Sequence, residues 1–113
     1  KVNLINYCLD HKIPVVSSLG AGGKLKPEMV RVADISKTYN DGLGRMLRKR
    51  LHKRGIYKGF KAVFSPEDVA PETRKSEESK NKKTNLGTIS YMPAFFGLYC
   101  ASVVLRDLIG LKL

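Results

Sequence analysis

Ile13-Pro14-Val15-Val16-Ser17-Ser18-Leu19-Gly20-Ala21-Gly22-Gly23-Lys24-Leu25 is the stretch on which the fold turns. Pro14 biases Ile13 away from helical geometry, so whatever helix precedes it must stop there. Ile13 to Ser18 then reads as a short strand of the buried kind, and the glycines that follow demand a tight turn with permissive backbone angles. Working backward, Lys1 to Lys12 carries Val2, Ile5, Cys8 and Leu9 at helical spacing, which predicts a helix with one apolar side. Working forward, Val30 to Ile35 alternates at period two and reads as a second strand. Thr38 to Asp41 supplies capping residues for a helix from Gly42 to Arg54, which Gly55 ends. Lys61 to Ser65 is a third strand, closed by Pro66. Helices and strands alternate along one short chain, so the expectation is an α/β fold with a mixed sheet.

The remainder is less regular. Residues 68–85 are rich in Lys, Ser and Glu, with no large apolar residue after Val69, and are expected to form a mobile loop. Asn85 to Leu105 carries no charge and raises the question of a membrane span. Pro93 and the Gly-Thr-Ile-Ser-Tyr run divide it, so the expectation is a core helix from about Pro93 to Ile109, apolar almost all round, and no membrane span. Residues 1–113 are too few for more than one modest core, and make a single, partial domain. The chain opens on Lys1, directly inside a helical period, which suits a piece of a longer protein.

Charge is concentrated rather than spread. The net charge is +11, and from Gly42 to Pro66 there are eight Lys or Arg and no acid, a field that favours a polyanion such as RNA. On the wheel of the Gly42–Arg54 helix, Leu43, Met46, Leu47 and Leu51 form an apolar stripe. Arg45, Arg48, Lys49 and Lys53 fall opposite, with His52, and are the candidate RNA-facing residues. Arg50 and Arg54 project into the stripe. Arg54 escapes at the helix end, whereas Arg50 is expected to snorkel along the core. Cys8 and Cys100, with His11 and His52, lack the spacing of a metal site, and both thiols read as free and buried. That usage suits a reducing compartment, cytoplasmic or mitochondrial.

Motifs alone do not make the chain an enzyme. Gly20-Ala21-Gly22-Gly23-Lys24 evokes a phosphate loop, but the Walker spacing is missing and Leu25 stands where a Ser or Thr would hold magnesium. The sequence offers no catalytic triad, no paired carboxylates and no dinucleotide fingerprint.

Several segments nevertheless resemble, in order and spacing, one family. Lys1 to Cys8, Ile13 to Leu25, Val32-Ala33-Asp34-Ile35-Ser36-Lys37-Thr38, and Asp41, Leu43 and Arg45 leading through the cationic helix to Gly55-Ile56 are four of them. Val63-Phe64-Ser65-Pro66-Glu67 and Leu86 to Gly97 complete the set. Together they look like the C-terminal half of the bacterial-type tRNA threonylcarbamoyladenosine dehydratases, of the ubiquitin-activating-like superfamily. The resemblance implies the C-terminal portion of a Rossmann-like adenylating domain that uses ATP and magnesium. Its implied substrate is tRNA, where the carboxylate of threonylcarbamoyladenosine at position 37 is adenylated and the base then cyclised. It implies a homodimer as well. The family's phosphate loop and adenylation-site aspartate lie upstream of Lys1, in the N-terminal half, so the catalytic residues are expected outside this sequence and the chain alone is expected to be inactive. What it would contribute to the nucleotide site is Lys1, Ser18, Gly20, Ala21 and Gly22. Two departures stand out: Lys26 replaces a usual Asp before Pro27, and Gly42 a usual Pro after Asp41. An activating enzyme for a ubiquitin-like or sulfur-carrier protein, and a non-catalytic basic RNA-binding module, are the alternatives. The lack of zinc-type cysteine pairs speaks weakly against the first.

Overall fold

The computed structural model describes residues 1–69 and 89–111. Nearly all of the loop expected over 68–85, and residues Leu86 to Thr88 of the resemblance, lie outside the described residues. Helix α1 spans Val2–Asp10, strand β1 Val16–Ser18, β2 Arg31–Asp34, α2 Gly42–His52, β3 Lys61–Phe64 and α3 Tyr91–Ile109, with single 3-10 turns at Pro27–Met29 and Ile35–Lys37. Each expected element is present, within a few residues of its expected ends.

The three strands form one mixed sheet in the order β1-β3-β2. β3 runs parallel to β1, with Ser17 opposite Ala62, and antiparallel to β2, with Val32 opposite Val63. Because side chains alternate across a strand, β3 feeds two cores. Ala62 and Phe64 point to one face, where they join Ile5 of α1, Leu47 and Leu51 of α2, Leu19, Ile35 and Phe60. Val63 points to the other face and meets Val30 together with Met92 and Phe96 of α3. The molecule is thus a thin sheet between a two-helix layer and a single long helix.

Local chemistry explains the element ends. Asp41 caps α2, its carboxylate accepting from the Leu43 N–H at 3.1 Å. At the other end, Gly55 adopts φ 77° and Ile56 donates back to the Leu51 carbonyl, which closes the helix. Asp34 terminates β2 by accepting from Ser36 N–H at 2.9 Å and from Gly59 N–H at 3.0 Å. Pro93 sits in the first turn of α3, where its missing N–H costs no helical bond.

Helix α3 departs from expectation. Met92, Phe96 and Val103 seat it on the sheet, but Leu98, Leu105, Leu108 and Ile109 are largely exposed. Only 17% of its apolar window is buried, although by length and composition it could cross a membrane. Geometry accounts for the difference. The helix is about 28 Å long at its standard rise, whereas strands of three or four residues extend only about 10–13 Å. The helix overhangs the sheet, so one side is core and the other is bare.

Candidate functional site

The glycine turn lies just beyond the carboxyl end of β1, the edge at which open α/β sheets place ligands. Ala21 to Lys24 closes by a backbone bond of 3.2 Å from Lys24 N–H to the Ala21 carbonyl, with Gly23 at φ 75°. A Cβ at Gly23 would come within 2.7 Å of Val69, so space as well as φ excludes a side chain. Gly20 donates its N–H to Asp41 Oδ2 at 3.1 Å, which ties the turn to the start of α2. Ala21 is partly buried against the Val30–Val63–Met92–Phe96 core.

Lys24 turns inward. It is almost fully buried, and its Nζ donates to the carbonyls of Asn40 at 2.8 Å, Ser65 at 3.0 Å and Glu67 at 2.5 Å. The carboxylate of Glu67, buried beside it, accepts from the consecutive N–H groups of Leu25 and Lys26 at 2.8 and 2.9 Å. Asn40, at φ 55°, donates to the Pro66 carbonyl, and Tyr91 donates its hydroxyl to the Leu25 carbonyl at 2.7 Å. The glycine turn is therefore fastened to α2, to the end of β3 and to α3. Lys24 is a strut, not the lysine of a phosphate loop. These roles of Lys24, Asn40 and Glu67 escaped the sequence reading; the available signal was a carboxylate two residues past a buried strand, in Ser65-Pro66-Glu67.

Of the candidate nucleotide-side residues, Lys1 and Ser18 are brought together: Lys1 Nζ donates to the Ser18 carbonyl at 2.8 Å. Cys100 of α3 lies close enough to feel the same ammonium. Burial pushes its thiol above the ordinary value of 9.0, with Lys1 acting in the opposite sense, so the neutral thiol prevails near neutrality. Cys8 is buried and free as expected, whereas Cys100 is only partly buried. Among the described residues no group of three His, Cys, Asp or Glu is placed to hold a metal.

The face of α2 differs from the wheel. Gly44, Leu47 and Leu51 are buried, while Leu43 and Met46 are 41% and 50% exposed. The inward direction is rotated toward Arg48, which is half-buried and donates to the Thr38 hydroxyl. Of the four expected RNA-facing residues, then, Arg45, Lys49 and Lys53 are exposed and Arg48 is engaged within the fold. Arg50, expected to snorkel along the core, is exposed. The cause is Gly44. Lacking a side chain, it lets the helix approach Leu19 closely (a Cβ there would lie 2.9 Å from Leu19 Cδ1) and so becomes the contact point.

That rotation opens a groove of about 420 Å³ between α2 and the start of α1, lined by Lys1, Val2, Asn3, Leu43, Met46, Leu47, Arg50, Lys53 and Arg54. Among the described residues no acid lines it, and Arg54 is held by a 2.6 Å bond to the Asn3 side-chain oxygen.

No protein-family model matches the chain. Individual proteins do. It is 35% identical to the tRNA threonylcarbamoyladenosine dehydratase of Bacillus subtilis, over 96% of this chain and 46% of that protein. It is 33% identical to tRNA threonylcarbamoyladenosine dehydratase 2 of Saccharomyces cerevisiae, over 96% of this chain and 28% of the relative. Among solved structures, the Escherichia coli tRNA N6-threonylcarbamoyladenosine dehydratase superposes with a TM-score of 0.80 at 32% identity, covering 96% of this chain and 44% of that one. Its complex with ATP superposes at 0.79. The chain spans less than half the length of these relatives. Sequence and fold together fit it to the tRNA threonylcarbamoyladenosine dehydratase family, as a C-terminal portion.

Proposed function

We propose that the chain is the substrate-side part of an ATP-dependent tRNA threonylcarbamoyladenosine dehydratase. The observation that carries this reading is the position of Lys1. Its ammonium rests on the Ser18 carbonyl at the carboxyl end of a parallel strand, and the same residue lines the groove with Arg50, Lys53 and Arg54. A corner suited to a nucleotide thus adjoins an acid-free cationic helix suited to RNA. On this reading, Lys1 and the Ser18–Gly22 backbone face the nucleotide, and Arg45, Lys49 and Lys53 meet RNA phosphates. Arg48 holds the helix in place through Thr38 and makes no phosphate contact.

The reaction this serves begins with attack of the nucleoside carboxylate on the α-phosphorus of ATP, with loss of pyrophosphate. The carbamoyl nitrogen then attacks the acyl carbon and expels AMP, closing a ring. Activation is needed because an oxide is a poor leaving group. Lys1 suits the charge that builds on the phosphate during the first step. Magnesium is assigned no protein ligand from this part of the protein. A homodimer belongs to the same reading, supported by the bare apolar side of α3, and so does a Rossmann-like sheet. β1 pairs only with β3 among the described residues, which leaves its other edge open to a further strand.

The test is pyrophosphate exchange and cyclisation of threonylcarbamoyl-modified tRNA by the intact protein. Lys1→Ala should lower exchange by about 10²–10³-fold, the usual loss for one such electrostatic contact, while leaving tRNA binding within a few-fold. The 113-residue chain alone should remain at background. Full exchange by the Lys1 variant, or robust exchange by the chain alone, would overturn the assignment.

A further inference from the structure

The groove between α1 and α2 adjoins the nucleotide corner through Lys1 but has so far been given no occupant. Its volume falls in the roughly 300–1,000 Å³ range of built ligand sites, and its chemistry is unusual for a surface cleft. Val2, Leu43 and Met46 give it apolar lining, and Arg50, Lys53 and Arg54 line it with cations. Solvent-exposed apolar surface beside several cations suits a ligand that is both planar and anionic. An unstacked nucleotide has that character: its base has an apolar face that covers aliphatic side chains or stacks on a guanidinium plane, while its phosphates take the charge. A paired helix does not, because its bases are stacked inside it and offer no free face.

We infer that this groove holds a single-stranded stretch of RNA, with phosphates on Arg50, Lys53 and Arg54 and a base over Leu43 and Met46. The inference rests on the RNA-directed reading and deepens it. Arg54 is pre-positioned by Asn3, so little of its rotamer freedom is left to lose on binding. Lys1 lines the groove and also touches Ser18, so a strand lying in the groove runs beside the nucleotide corner. Arg45 and Lys49 lie outside the lining and would meet phosphates farther along.

The experiment measures binding of a single-stranded oligouridylate and of an RNA duplex of equal length to the intact protein, across a salt series. Arg50→Gln/Arg54→Gln should weaken single-strand binding and flatten its log–log salt slope by about 1.4, the loss of two single-strand phosphate contacts. Duplex binding should be unaffected. Met46→Glu, at a half-exposed position, should fold normally and weaken single-strand binding roughly tenfold by placing a like charge beside the strand. Arg45→Gln/Lys49→Gln is the comparison. If it weakens RNA binding while the groove variants do not, the groove assignment falls and the RNA reading stands. If neither set changes the slope, both fall. Equal competition by polyglutamate at matched charge would overturn the nucleotide assignment in favour of an acidic protein segment.

Discussion

Replacing Lys24 by methionine would leave the carbonyls of Asn40, Ser65 and Glu67 facing an apolar side chain, the last two in buried surroundings. Charge-assisted bonds to buried acceptors are expensive to lose, so Lys24→Met should destabilise by about 3 kcal/mol. Glu67→Gln keeps an acceptor for the Leu25 and Lys26 N–H groups and should cost less. Denaturant midpoints decide the matter: a loss under about 1 kcal/mol for Lys24→Met would mean that water reaches those carbonyls. Asp34 acts in another way. Burial opposes its charge, but the Ser36 N–H and hydroxyl, the Gly59 N–H and nearby Lys58 outweigh that and hold its carboxyl below the ordinary 3.8. A depressed carboxylate adds stability above its unfolded pKa and loses it as pH falls through the folded one. Asp34→Asn should therefore be less stable than the parent at pH 7, with the gap closing below about pH 4; the site is largely solvent-facing, so the effect is modest. A gap independent of pH would assign the contribution to hydrogen bonding alone. Neither role was legible beforehand, because both depend on partners 16 to 43 residues away for Lys24 and 25 away for Gly59.

At the scale of elements, the helices and strands were readable because proline, glycine and capping residues mark their ends. Asp41 and Gly55 bracket α2 as expected. Its phase was not readable. A wheel weights residues by hydrophobicity, and glycine counts for little, yet Gly44 is where the helix touches the core. Four large apolar residues therefore pointed the wheel toward Leu43 and Met46, whereas Arg48 is the half-buried arginine and Arg50 the exposed one. Helix α3 has the converse problem: it is apolar on both sides, so periodicity could not tell its seat on the sheet from its bare flank. Leu98, Leu105 and Leu108 recur on that flank at helical spacing. Under the homodimer proposal this stripe is the covered surface. Leu105→Glu/Leu108→Glu should convert the intact protein to monomer, as read by light scattering, with little change in unfolding because both side chains are already exposed. A double variant that stays dimeric would place the interface elsewhere.

For the molecule as a whole, the α/β class and the mixed sheet were legible, since strand-forming runs alternate with helical ones. The strand order was not, because nothing local says that the third strand enters between the first two. The candidate site was legible only in part. The Ser18–Gly23 turn could be placed at a strand end, but the groove exists because α1 and α2 lie side by side, which is a tertiary fact. The strand order also bears on how the chain is made. Of the three described strands, β3 is the last to leave a ribosome and pairs with the other two, and its register with β1 spans 45 residues, from Val16 to Lys61. Until it emerges, β1 and β2 lack the neighbour they share, and bringing β1 to β3 closes a long loop at an entropic cost. Nascent chain stalled before Lys61 therefore presents two unsatisfied strand edges and an uncovered apolar helix face, a state that chaperones bind and proteases cut.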